Sequence, residues 1–174
     1  MKYEFKLLKG YSLPIFKNKI GTKGKLDANI CIDSGCGITT FYKSESIVRA
    51  MFPNIRPANS TVEVRNASGT KDKLPLYIIP EIVLIDENNN LLHIMNLYCC
   101  IVPVNMPQID VLLAGTIFFS SRMIIELARK EETKEPYRTF KVNTLIKGRD
   151  TLYMERQEGN DRVHYICALN APQK

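Results

Sequence analysis

Residues 31–40 read CIDSGCGITT, and they set an aspartate at the end of an apolar run before a hydroxyl and a glycine. Asp33, Ser34 and Gly35 are ordinary turn formers, and a strand can end in such a cluster without any function attached to it. The surroundings ask more of this one. An apolar strand delivers the aspartate, Gly35 lets the chain approach closely behind it, and Thr39 and Thr40 follow among apolar neighbours. Such a loop holds a carboxylate in place while leaving its oxygens accessible.

Upstream, LPIFKNKI at 13–20, the turn GTKG at 21–24 and KLDANICID at 25–33 form the pattern of a hairpin. In its second arm Leu26, Ala28, Ile30 and Ile32 share one face, and Asp27, Asn29, Cys31 and Asp33 share the more polar one. Downstream, KSESIVRAMFPN at 43–54 predicts a short helix, with Ser44 as cap, Glu45 in the first turn and Pro53 as the stop. Residues 61–85 return to strand pattern as a hairpin whose tip, NASGTKDK, is polar and carries a glycine. The turn DENNN at 86–90 separates it from the apolar strand LLHIMNLYCCIVPV. An apolar run at 109–128 is broken by Gly115, and RKEETKEP at 129–136 reads as a linker or exposed turn. Beyond it YRTFKVNTLI, TLYMERQ and RVHYICALN are three strand-like pieces, suited to a small meander. Short strands at regular intervals with few helices predict a mainly β barrel or sandwich-like domain.

A chain of 174 residues is long enough to bury about 70% of its unfolded surface and so to build a core without staples. It has no run of about 18 apolar residues, and MKYEFKLLKG lacks the apolar stretch and cleavage site of a secretory signal. The expectation is a cytoplasmic protein without a membrane partner. Cys31, Cys36, Cys99, Cys100 and Cys167 are odd in number and show no disulfide framework, so reduced thiols are expected. Their spacing, with only His93 and His164 to help, does not match a zinc site; no metal and no cofactor are expected. The net charge of +6 invites a nucleic-acid reading, but the basic residues are scattered: Arg129, Lys130 and Lys134, for example, alternate with Glu131, Glu132 and Glu135. A phosphate track would cluster them, so nucleic acid is not expected as a partner.

Taken together, these parts resemble the retropepsin-like aspartic proteases, in which a hydrophobic strand ends in Asp-Thr/Ser-Gly and is followed by a flap hairpin, then two apolar residues and a glycine before a short helix. Here the corresponding residues are Ile32, Asp33, Ser34 and Gly35, a candidate flap near 62–79, and Leu113, Ala114 and Gly115 ahead of TIFFSS. The DSGCGITT form is more similar to bacterial members than to retroviral ones. The resemblance covers residues 13–128. It departs at Gly37 and Thr116, where viral members often carry an acidic residue and an arginine as a supporting ion pair, and at Ala114, where a bulkier apolar residue is common.

The resemblance implies a closed β-barrel with a flap hairpin and one or two short helices. This protease domain would occupy residues 1–132, followed by a C-terminal β extension at 133–174. It implies an aspartic endopeptidase in which Asp33 is catalytic. Ser34, Gly35, Ser68, Gly69 and Thr70 would bind a peptide or protein substrate, Ser34 bracing the paired loops and Ser68, Gly69 and Thr70 forming the flap tip. Only one Asp-Ser-Gly is present, so the second carboxylate would come from a homodimer, in which a residue on the two-fold axis meets its own copy. The alternative is a catalytically inactive dimerisation or peptide-binding module of the same fold.

Overall fold

Short alternating runs bounded by turn residues make this chain mostly strand. The computed structural model describes residues 2–22, 26–65, 69–120, 123–128, 150–156 and 164–167. In chain order the elements are β1 (Lys2–Lys6), β2 (Ile15–Ile20), β3 (Leu26–Asp33), β4 (Thr39–Phe41), α1 (Glu45–Met51), β5 (Arg56–Arg65), β6 (Lys71–Ile85), β7 (Leu91–Ile101), β8 (Val111–Ala114), α2 (Gly115–Ser120), β9 (Met123–Ala128), β10 (Thr151–Arg156) and β11 (His164–Cys167). The fold is mainly β, with two short helices among the described residues.

The hairpin expected from residues 13–33 is β2–β3, antiparallel with Ile15 opposite Cys31 and Ile20 opposite Leu26. Ala28, Ile30 and Ile32 enter the main core, as alternation predicts. Both ends of the pattern deviate. Leu26, beside the turn, is exposed, whereas Cys31 on the opposite face is only 1% exposed. The face of β3 predicted to be polar is itself covered near Asp33, by a second apolar cluster of Ile15, Cys31 and Ile109 flanked by Leu8, Tyr11, Tyr42 and Leu112. Ser44 caps α1 as its sequence predicts, accepting a hydrogen bond from the Ile47 N–H at 3.4 Å.

The larger sheet runs β2-β3-β8-β4-β7-β6-β5, with β11 added in parallel to β7. The expected closed barrel is not formed by this ladder. The sheet ends at β2 and β5, and no backbone pairing joins them among the described residues. β5 pairs with β6 at Arg56–Pro57 and Thr61–Arg65, with a register shift between them, and its other edge pairs with no strand among the described residues. β2 approaches β6 by a side chain instead. Asn18 Nδ2 donates to the Ile85 carbonyl at 2.7 Å, and the Ile85 N–H donates to Asn18 Oδ1 at 3.1 Å. An amide side chain offers the donor and acceptor of a peptide group, so one residue stitches two strands that have no ladder.

A second sheet, β1-β10-β9, is antiparallel throughout. Tyr3, Phe5, Met123, Ile125, Leu152 and Met154 from its strands lie in the same core as the larger sheet. The boundary expected at residues 132/133 and the piece at 137–146 lie outside the described residues. β10 and β11, expected as neighbours in a meander, pair with different partners: β10 lies between β1 and β9, and β11 lies on β7. Burial accounts for the placement of β10, whose Leu152 and Met154 are fully enclosed only within the common core. The outer edge of β1 is covered by the turn at 86–90. Asp86, 5% exposed, accepts from the Glu4 N–H, and the Glu87 N–H donates to the Glu4 carbonyl at 2.9 Å. Asp86 also accepts from the backbone N–H groups of Asn88 and Asn90, so it shapes the turn that protects the edge.

Candidate active site around Asp33

β3 and β4 follow one another in sequence yet are not neighbours in the sheet. β8 lies between them, parallel to β3 and antiparallel to β4. The connecting residues 34–38 therefore cross over the end of β8, and the last pair of the β3–β8 ladder is Asp33 with Ala114. At the next residue the chain turns into α2, and Gly115 packs directly against the crossing loop. A Cβ there would overlap the Ser34 Cα and come within 3.1 Å of the Asp33 carbonyl oxygen. Only glycine fits, and this close approach seats the Asp33 loop on the end of β8.

The loop in turn holds the carboxylate. The Gly35 N–H donates to Asp33 Oδ1 at 2.8 Å, and the Cys36 N–H donates to the Asp33 carbonyl at 3.3 Å. Asp33 is half-buried, and among the described residues Oδ2 takes no hydrogen bond. Behind it, Thr39 Oγ1 accepts from the Ala114 N–H at 3.2 Å, and Thr40 Oγ1 lies 3.3 Å from Cys100 Sγ. The positions that depart from the viral pattern are in contact with each other. Thr116 Oγ1 donates to the Gly37 carbonyl at 3.4 Å, so a neutral hydrogen bond links the residues where an ion pair is absent.

The nearby thiols are held neutral. Burial, and then the Asp33 carboxylate, push Cys31 up to about 12. Burial likewise raises Cys36, partly offset by its hydrogen bond to the Ile38 carbonyl, and it raises Cys99 and Cys100. The thiolate is the nucleophilic form, so this environment disfavours cysteine chemistry at the site. Burial also raises the Tyr42 phenol, with Cys36, Cys100 and Asp33 adding to the effect. Among the described residues no three of His, Cys, Asp and Glu gather as a metal-binding group, and no helix is long and apolar enough to cross a membrane.

Two apolar clusters lie on the sheet face that Cys31, Leu112, Thr40, Cys100 and Leu76 share by register. One is the Cys31 cluster, with Tyr11, Tyr42 and Leu112 partly exposed. In the other, Ile38, Leu76 and Cys100 form a cluster against which Val62, Val64 and Leu74 of the β5–β6 hairpin pack. The structure thus brings Asp33, Ser34 and Gly35 together with Gly115. It places Gly69, with φ of +84°, and Thr70 at the exposed end of the hairpin, while Ser68 lies outside the described residues. Sequence reasoning gave no role to Tyr42 or Cys100. The alternation in ITTFY could have placed Thr40 and Tyr42 on one face, but nothing local reveals Cys100, which arrives from β7.

No protein-family model matches the chain, and no curated protein matches its sequence.

Proposed function

We propose that the chain is an aspartic endopeptidase of retropepsin type, acting as a homodimer on extended peptide. The observation that carries this reading is the seating of the Asp33-Ser34-Gly35 loop on Gly115, which sets the backbone that bears the carboxylate at the end of a buried strand. The Gly35 N–H on Oδ1 fixes the orientation of the carboxylate, as a catalytic acid or base requires.

In a two-fold dimer, Asp33 of each protomer would face the same water. Two carboxylates at that separation cannot both ionise cheaply, so they share a proton, and identical residues become one base and one acid. The base takes a proton from the water as its oxygen attacks the peptide carbonyl carbon. The acid donates its proton to the carbonyl oxygen, and the tetrahedral intermediate then collapses as the amine leaves protonated. Ser34 would brace the paired loops, and Gly35 would present backbone to the substrate. The two apolar clusters on the sheet face that carries Cys31 and Cys100 suit a peptide with apolar side chains around the scissile bond, and the β5–β6 hairpin would add backbone hydrogen bonds as a flap.

Cleavage of a peptide library by the purified protein and by Asp33→Asn tests this reading. Asparagine keeps the shape of aspartate and removes the ionisable group. Cleavage that disappears in the variant with folding retained is the expected result, and undiminished cleavage would remove Asp33 from the chemistry.

A further inference from the structure

The backbone ladder between β4 and β8 ends at Thr40 opposite Leu112, because beyond it the chain lifts away to carry residues 34–38 across β8. Ala114 is two residues past that point, and its N–H has no β4 carbonyl to meet. It is fully buried, so an unmet donor there would be costly. Thr39 Oγ1 takes the place of the missing acceptor at 3.2 Å, on a side chain that is itself 1% exposed. The residue so held is the ladder partner of Asp33, and the next, Gly115, is the seat of Ser34.

We propose that Thr39 is a positioning residue for Asp33, its hydroxyl oxygen replacing a sheet acceptor so that the Ala114-Gly115 seat, and the Asp33-Ser34 backbone resting on it, stay in register. This deepens the peptidase reading and rests on it for the kinetic consequence. Valine at position 39 keeps the shape and removes the acceptor, and serine keeps the acceptor and removes a methyl group. Loss of the anchor frees β8 to shift under the loop, which changes the Gly35–Asp33 hydrogen bond before it changes anything remote.

The test compares wild type with Thr39→Val and Thr39→Ser by two readouts. The first is the NMR resonances of the Gly35 amide and the Asp33 carboxyl carbon, which require no activity. The second is the separation of kcat from KM on a cleaved peptide. Thr39→Val is expected to shift both resonances and to lower kcat by roughly tenfold to a hundredfold, the scale of small misplacements, with KM nearly unchanged. Thr39→Ser is expected to restore both. Resonances in Thr39→Val that match wild type, with only lower thermal stability, would overturn the proposal. If Thr39→Val does not fold, Thr39→Ala is compared with Thr39→Ser, and equal resonances in those two would overturn it in the same way. An inactive wild type would remove the peptidase reading and leave the resonance test to decide the role of Thr39.

Discussion

Gly115 lies against the backbone of Ser34 with no room for a methyl group between them. The contact joins a helix start to the loop that follows the aspartate, two segments about eighty residues apart in sequence. Gly115→Ala must push the loop away or shift α2, and overpacking of this kind costs about 1–3 kcal/mol. Denaturant unfolding should show that loss. The Gly35 amide resonance should also move, because its partner Asp33 Oδ1 belongs to the displaced loop. A variant as stable as wild type would mean that the close packing is easily relieved.

Asn18 stitches β2 to β6 with both halves of its amide, at 7% exposure. Asn18→Ala leaves the N–H and the carbonyl of Ile85 without these partners, and about 1–3 kcal/mol should be lost if water cannot reach them. Asn18→Asp keeps an acceptor for the N–H and offers no donor to the carbonyl, so it should also be destabilising. Chemical denaturation of both variants checks this, and stability equal to wild type in Asn18→Ala would show that the strand approach does not depend on the side chain.

The buried thiols should make the protein sensitive to alkali. Cys31 has an ordinary value of 9.0 and is held up to about 12, so above pH of about 9 the unfolded chain releases a proton that the native chain keeps. The unfolded state then binds fewer protons, and stability falls as pH rises from about 9 towards 12, by up to about 1.4 kcal/mol per pH unit for one thiol. Cys36, Cys99 and Cys100 act in the same direction. Stability measured between about pH 8 and pH 11 should decline, and less steeply in Cys31→Ala. Equal slopes would show that Cys31 does not contribute.

Much of the local structure is legible in sequence, because it depends on near neighbours. The alternation in ANICI places Ala28, Ile30 and Ile32 in the core, and Ser44 and Glu45 mark the start of α1. What could not be read is set by distant segments. Cys31 reads as a member of a polar face because Ile109 and Leu112, which help Ile15 to bury it, come from far downstream in the chain. The barrel expected from family likeness does not close in the ladder, because β2 and β5 meet no partner on their outer edges among the described residues, and no local pattern in Asn18 announces that it will join β2 to β6. Asp33 itself was visible as a strand end. Its seat on Gly115 depends on β8 passing between β3 and β4, which only the fold reveals.

If two copies of Asp33 make one site, as proposed, specific peptidase activity and sedimentation followed over one dilution series must change together. A monomer carries a single Asp-Ser-Gly, so dilution below the dimer dissociation constant should remove complete sites by mass action. Specific activity is expected to fall in step with the dimer fraction and to be abolished at every concentration in Asp33→Asn. A chain that is monomeric throughout and cleaves with constant specific activity would contradict the shared site. A stable dimer that binds peptide without cleaving it would contradict the chemistry and leave a peptide-binding module.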